Sequence, residues 1–196
     1  MMRMFSDSEL AALVRDDSVH RCVYTDPGIF ELEMERIWGR AWIYVGHESQ
    51  VRNPGDYFAT QIARQPIVMT RHRDGKVHVL FNRCAHKGAQ VVGESCGRAE
   101  KLRCCYHGWT YDTDGTLLHV PREEGYSATG YGKGHADARM HAVPRVESYH
   151  GLVFASLCRE GPDLKTWLSG AAASIDNLVE RSPEGKIEIA GGCFRY

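Results

Sequence analysis

The sequence predicts a mainly β domain flanked by helices, and three observations predict it. Five short runs rich in β-branched and aromatic residues, "AWIYVG", "DYFATQI", "PIVMTR", "KVHVLFN" and "GLVFASL", mark the middle of the chain. Turn formers punctuate the series as "RNPGD", "RDGK" and "DTDGT". Apolar residues at helical spacing stand only before and after it. Strands this short and closely spaced suit a small sandwich or barrel-like β domain.

The elements follow in order. In "SDSEL", Ser6 is an N-cap candidate and Glu9, three residues on, completes a capping-box pattern; Leu10, Leu13 and Val14 recur at helical spacing. A second helix follows "TDPG". Asp26 caps it, and Pro27 suits the first helical position, where a missing N–H costs nothing. Ile29, Phe30, Met34, Ile37 and Trp38 make its apolar stripe, and Gly39 marks a stop. After the first four strands, residues 121–142 are glycine- and charge-rich and predict a surface loop or insertion. Past the fifth strand, helical signals return in "GPDLKTWLSGAAASIDNLVERS", and "GKIEIAGG" predicts the start of another strand.

Composition narrows the function classes. The 196 residues suffice for one sizeable domain, or one with an appendage. With 43% apolar and 25% charged residues and a formal net charge of -1, the chain lacks the basic excess of a nucleic-acid binder. No apolar run approaches the roughly 18 residues of a membrane helix. The start, "MMRMFSDSEL", turns polar too soon for a secretory signal, which places the expected location in the cytoplasm. There, seven cysteines (22, 84, 96, 104, 105, 158 and 193) point to a metal more than to disulfides.

Two stretches carry the chemistry. "CAHKG" (84–88) and "CCYHGW" (104–109) each set a cysteine and a histidine together, once as Cys-x-His and once as Cys-x-x-His. The first follows a strand, and the second reads as a loop running into a hairpin. A cysteine nucleophile needs one thiol and one base, not two matched local pairs. A structural zinc also takes two cysteines and two histidines, but its spacing usually keeps like ligands adjacent. In a Rieske [2Fe–2S] centre, two cysteines hold one iron and two histidines the other. Two loops clamping such a cluster from opposite sides would each offer one of each type. Cys84-x-His86, seventeen intervening residues and Cys104-x-x-His107 supply that set. Replacing two thiolates by neutral imidazoles takes the oxidised cluster from a net charge of about -2 to about zero, which eases reduction.

The stretch from Cys84 to His107 resembles the Rieske signature of aromatic-ring-hydroxylating dioxygenase large (α) subunits: Cys-x-His-Arg-Gly, a spacer, then Cys-x-Tyr-His. Cys84, His86, Gly88, Cys104, Tyr106 and His107 match, and Lys87 stands where the family usually has arginine. Lysine cannot reproduce a bidentate arginine contact. The likeness extends through "VYTDPGIFELEMERIWGRAWIYVGHESQVRNPGDYF", "HGWTYDTDGTLLHVPREEGY" and "PRVESYHGLVFASL", and "IEIAGGCFRY" resembles the point where the family's catalytic domain begins.

The resemblance implies a Rieske-type antiparallel β-sandwich or barrel with two cluster-binding loops, N-terminal helices and a C-terminal helical stretch. It implies a lead-in over 1–40, a Rieske domain over 41–158, and, over 159–196, a helical stretch and the first strand of a catalytic domain. One [2Fe–2S] cluster would be held by Cys84, His86, Cys104 and His107. Respiratory Rieske proteins tie their two loops with a further disulfide; here Ala89 and Tyr106 occupy those positions and exclude it. Cys96 and Cys105 read as free thiols. Trp109 replaces a serine that hydrogen-bonds the cluster in high-potential members, so the lower half of the Rieske potential range is expected.

Other residues suit supporting roles. Gly88 and Gly108, after the two histidines, suit tight turns. Tyr106, Trp109 and Tyr111 serve equally as shields of a cluster or as core aromatics. Arg83, Lys87, Arg98, Lys101 and Arg103 outnumber Glu94 and Glu100, a rim suited to an acidic electron donor or simply to solvent. His135, Asp137 and His141 have the wrong order for the family's mononuclear iron and read as exposed loop residues, while His72 and His78 flank the "RDGK" turn without comparable partners.

In the family, electrons pass from NAD(P)H through a reductase, sometimes with a ferredoxin, to the Rieske cluster. They go on to a mononuclear Fe(II) that activates O2 to hydroxylate an aromatic substrate. The family's α subunits form trimers, often with β subunits. The present chain is expected to carry the electron-entry part and no catalytic residue, and so not to turn over alone. Two other classes stand beside this one: a stand-alone Rieske ferredoxin-like carrier, against which the terminal extensions argue, and a zinc-stabilised binding module.

Overall fold

The computed structural model describes residues 5–190, and divides between Ala41 and Trp42 into two compact units. In the first, α1 (Asp7–Ala12) starts with the predicted capping box: Glu9 N–H donates to Ser6 Oγ at 3.3 Å, and Ser6 N–H to Glu9 Oε2 at 2.8 Å. It ends before Val14, which bridges back to Val19. A short α2 (Cys22–Thr25), unmarked in the sequence, leads to α3 (Pro27–Glu33). Asp26 Oδ1 caps α3 by accepting from Gly28 N–H at 2.7 Å, and a π-helical turn, Met34–Trp38, carries it to Gly39. Of the predicted stripe, Ile29 is buried while Phe30, Ile37 and Trp38 are exposed.

The second unit is built from antiparallel strands, as predicted. Strands β1 (Ile43–His47), β10 (Leu152–Ser156) and β9 (Arg145–Tyr149) form one sheet in that order. Strands β4 (Val77–Phe81), β3 (Gln65–Arg71), β2 (Asp56–Ile62) and β5 (Cys96–Arg98) form the second. Strands β6 (Leu102–Arg103), β7 (Thr110–Tyr111) and β8 (Leu117–His119) form the third, with "DTDG" turning β7 into β8. All the pairings are antiparallel.

The four-stranded sheet separates two cores. Ile67, Met69 and Val79 face one, with Val45, Val153 and Ala155 of the first sheet. Val68 and Leu80 face the other, with Leu102, Trp109, Tyr111, Leu117 and Met140. Burial on both faces explains why β3 reads as an almost unbroken apolar run instead of alternating. Each such Val or Leu contributes about 1.5–3 kcal/mol. The second core lies directly beneath Cys84 and Cys104, which belong to it.

After β10, Asp163 Oδ1 caps α4 (Leu164–Leu168) by accepting from Thr166 N–H at 2.7 Å, and α5 (Gly170–Glu180) follows. The strand predicted at "GKIEIAGG" is not formed over residues 186–190. There the Ile189 N–H donates to the Ser49 hydroxyl at 3.1 Å instead of joining a ladder. The remainder of that stretch, with Cys193, lies outside the described residues.

Candidate functional site

Both Cys/His pairs occupy loops at strand ends. The first loop leaves β4 through Asn82, whose buried amide closes its neck. Nδ2 donates to the Val92 carbonyl at 2.8 Å, and Oδ1 accepts from the N–H groups of Val91 and Val92 at 3.2 and 2.9 Å. The second loop joins β6 to β7.

The loops share one backbone frame. Cys84 N–H donates to the Ala89 carbonyl at 2.8 Å, and Gly88 N–H to the Cys84 carbonyl at 2.9 Å. Cys104 N–H donates to the Trp109 carbonyl at 2.8 Å, and Gly108 N–H to the Cys104 carbonyl at 3.1 Å. Each frame closes through a left-handed residue, Gly88 at φ 70° and Gly108 at φ 72°. Only glycine adopts that conformation without steric cost.

The frames bring the four side chains together. Cys84 and Cys104 are both buried and belong to the same core cluster. The His86 and His107 rings stand 4.6 Å apart between centroids, inclined at 71°. His86 also stacks flat on buried Trp109, at 5.2 Å and 6°. Its Nδ1 is buried and has no hydrogen-bond partner. A buried polar atom without a partner is uncommon and calls for an explanation such as a missing ion. Two soft thiols, two imidazoles and one orphaned imidazole nitrogen together make a donor set that fits an iron–sulfur cluster of mixed ligation.

In the first loop, electrostatics favour a neutral His86 and a protonated Cys84 until metal arrives. Burial pushes the Cys84 thiol up, the Tyr111 hydroxyl partly offsets this, and neighbouring Cys104 adds to the rise. Burial pushes the His86 imidazole down, assisted by the charges of His107 and Lys87. A metal taken up here must displace the Cys84 thiol proton, whereas the lowered pKa of His86 favours the neutral imidazole it needs.

Three tyrosines hold the first loop. The Tyr111 hydroxyl accepts from Ala85 N–H at 3.0 Å and stands 3.0 Å from Cys84 Sγ. Its own proton is therefore free to point at the sulfur. The Tyr131 hydroxyl donates to the Ala85 carbonyl at 2.8 Å, and the Tyr126 hydroxyl lies 3.1 Å from His86 Nε2. Tyr126 and Tyr131 come from the stretch that the sequence predicts as a surface loop; most of it is exposed as expected, but it also carries anchors into the core. Residues 121–142 form a strap whose Ala138 and Met140 are buried, while Tyr126 and Tyr131 pack on Trp109 with centroids at 5.6 and 5.9 Å. Glycine and charge mask it in sequence, because its apolar anchors follow no helical or strand period.

The remaining candidates separate clearly. Trp109 and Tyr111 are core, whereas Tyr106 is 64% exposed over His107, with ring centroids 3.8 Å apart. Tyr106, Cys105, His107 and Arg103 line a surface cleft of about 510 Å³. Arg83, Lys87, Arg98, Lys101 and Arg103 are all exposed, as are Cys96 and Cys105. His135, Asp137 and His141 are exposed and do not converge on a site. Of His72 and His78, which the sequence leaves without comparable partners, His72 has them. His78 meets the His72 ring and Asp74 Oδ1 at 3.9 Å, and among the described residues its buried Nε2 makes no hydrogen bond. His72 Nδ1 is 2.8 Å from the Thr113 hydroxyl and 3.5 Å from Asp112 Oδ1, and its ring meets that of His78 at 5.6 Å.

His72, Asp112 and Asp114 lie close enough to share an ion, but the carboxylates are already engaged. Asp112 accepts from Thr113 N–H at 2.8 Å and pairs with Arg73 at 3.0 Å, and Asp114 accepts from Thr116 N–H at 2.8 Å. They cap the β7–β8 turn. Sequence spacing missed the cluster because the β3–β4 turn meets the β7–β8 turn only in three dimensions.

The chain is similar in sequence and fold to several known proteins. The α subunit of benzene 1,2-dioxygenase from Pseudomonas putida (strain F1) is 35% identical over 193 residues, covering 97% of this chain and 42% of that protein. The α subunit of biphenyl dioxygenase from Metapseudomonas furukawaii is 37% identical, covering 86% and 38%. The crystal structure of naphthalene 1,2-dioxygenase from Rhodococcus sp. bound to indole superposes with a TM-score of 0.80 at 32% identity, covering 89% of this chain and 39% of that one. A quaternary ammonium Rieske monooxygenase superposes at 0.73 and 27% identity, covering 82% and 43%. The chain thus spans about two fifths of the curated relatives it matches. Residues 41–150, more than half of its length, match the Rieske [2Fe-2S] domain, and the chain belongs to that family.

Proposed function

We propose that Cys84 and Cys104 hold one iron of a [2Fe–2S] cluster and His86 and His107 the other. We propose further that the chain is the electron-accepting Rieske portion of a ring-hydroxylating oxygenase α subunit. The observation that carries this reading is the buried, partnerless Nδ1 of His86 beside a second imidazole and two buried thiols. A bound cluster supplies one-electron storage at potentials between about -150 and +300 mV.

The protein's own residues account for the rest. Asn82 and the two glycines fix the loops, so that ligation needs little rearrangement. Trp109 and the strap exclude water from the His86 side, while His107 and Tyr106 remain at the surface, where an electron can cross to a partner. The basic rim suits an acidic ferredoxin or reductase as donor, and such charge speeds encounter more than it strengthens binding. In this reading the electron passes on to a mononuclear non-haem Fe(II), in a catalytic domain outside residues 1–196, where an aromatic substrate is hydroxylated with O2. The working assembly is a trimer or an α/β hetero-oligomer in the cytoplasm.

A zinc-stabilised module fits less well. Among the described residues, groups of three ligands with atoms within 4.8 Å of one another include His72, Asp112 and Asp114 but not the four loop residues. A tetrahedral zinc needs its ligand atoms about 3.4–3.8 Å apart, as follows from its bond lengths. Anaerobic reconstitution decides between them. The expected product binds iron and acid-labile sulfide in equal amounts and, once reduced, has an average g value below that of the free electron. A colourless protein with one zinc overturns the proposal.

A further inference from the structure

The two imidazoles differ in their surroundings. His107 is exposed beside exposed Tyr106. His86 is enclosed, stacked on Trp109, with its Nε2 3.1 Å from the Tyr126 hydroxyl. The strap that brings Tyr126 also brings Tyr131, whose hydroxyl donates to the carbonyl of Ala85, the residue before His86. The strap thus holds both the ring and the peptide that carries it.

Resting on the reading above, we propose that Tyr126 is a positioning residue for the cluster. Its hydroxyl accepts a hydrogen bond from His86 Nε2–H, which fixes the tautomer, presents Nδ1 as the ligating nitrogen and lowers the reduction potential. The chemistry runs in one direction. A neutral imidazole that ligates through Nδ1 carries its proton on Nε2, so Nε2 donates and the phenol oxygen accepts. An acceptor on the far nitrogen makes the imidazole a stronger donor to its metal. A stronger donor stabilises the ferric state more than the ferrous. Tyr126 therefore opposes Tyr111, whose hydroxyl on Cys84 Sγ withdraws charge and favours reduction.

The test compares wild type, Tyr126→Phe and Tyr131→Phe, each as the full chain reconstituted with iron and sulfide. Tyr126→Phe keeps the ring that packs on Trp109 and loses only the hydroxyl. It is expected to load normally and to shift the oxidised-to-reduced ratio at a fixed ambient potential about threefold toward reduced, about 30 mV upward. Pulsed EPR of the reduced protein should show one histidine nitrogen coupling moved and the other unchanged. Tyr131→Phe leaves the His86 bond in place and should keep the wild-type potential. An unchanged potential in a loaded Tyr126→Phe overturns the proposal. So does an equal shift in both variants, which would assign the effect to strap packing. Failure of the wild type to acquire iron and sulfide would overturn the reading of the site itself.

Discussion

Cys84–Ala89 and Cys104–Trp109 are folded by the same two backbone hydrogen bonds around the same left-handed glycine, yet one loop is covered and the other bare. The first has tyrosine hydroxyls on the N–H and carbonyl of Ala85, on Cys84 Sγ and on His86 Nε2. The second presents Cys105, Tyr106 and His107 to solvent. Their histidines also sit one residue apart within the frame, second after the cysteine in one loop and third in the other. The frame therefore follows from the glycine and the closing hydrogen bonds, not from where the histidine falls. Identical backbones grip; their unlike surroundings tune one side and leave the other open for exchange.

The largest effect tests what the loops share. Cys84→Ser and Cys104→Ser should each abolish cluster loading, measured as bound iron and acid-labile sulfide, because each thiol occupies the equivalent corner of one frame. A variant that loads normally would break the equivalence of the loops. Next comes the covered side. Tyr111→Phe strips Ala85 N–H of its partner, at a cost of about 1–3 kcal/mol in denaturant unfolding of the apo-protein. The same change removes a donor from Cys84 Sγ, and a hydrogen bond worth about 1 kcal/mol corresponds to about 40 mV of lowered potential.

The glycines give a smaller but more discriminating comparison. Gly88→Ala and Gly108→Ala each force a side chain into the left-handed region, at about 1–2 kcal/mol. A β-carbon at 88 meets nothing within 4 Å, whereas one at 108 meets Pro121 Cγ at 3.2 Å. Gly108→Ala should therefore be the more destabilising in denaturant melts. The reverse order would mean that the first loop is the tighter frame.

How much of this was legible depends on distance along the chain. The ligand set and its glycines are local, and so are the capping box at Ser6 and the turn "DTDG"; residue type and spacing reveal them. The covering of the first loop is not local. Tyr126 reaches His86 across forty residues, from a segment whose glycine and charge resemble an ordinary loop. Tyr111 reads in sequence equally as a shield of the cluster or as a core aromatic, but its bond to Cys84 depends on the β6–β7 pairing. The apolar stripe over Ile29–Trp38 is legible as a pattern, but its burial is not: Ile29 is buried and Phe30, Ile37 and Trp38 are exposed, since a period shows which residues share a face and not what that face meets. The missing strand over residues 186–190 shows the complementary limit: β propensity forms a strand only where a neighbour offers its ladder.

The smallest expected effect is the pH profile of the apo-protein. His86 is held below the ordinary imidazole value of 6.5 by burial, and His78, on β4, is lowered by burial as well. As pH falls through that value the unfolded chain takes up protons that the folded chain refuses, so stability falls with pH. Cys84 is held above the ordinary thiol value of 9.0, and the buried Tyr111 hydroxyl above 10.0. As pH rises through those values the unfolded chain releases protons that the folded chain retains, so stability falls again. The depressed carboxyls of Asp74 and Asp114 act only near and below 3.8, clear of the imidazole range. Denaturant midpoints should therefore peak between about 6.5 and 9.0 and decline on both sides. His78→Gln and His86→Gln should each flatten the acid limb, Cys84→Ser the alkaline one. If His78→Gln alone removes the whole acid limb, then the enclosure of His86 beneath the strap has no energetic consequence before metal binds.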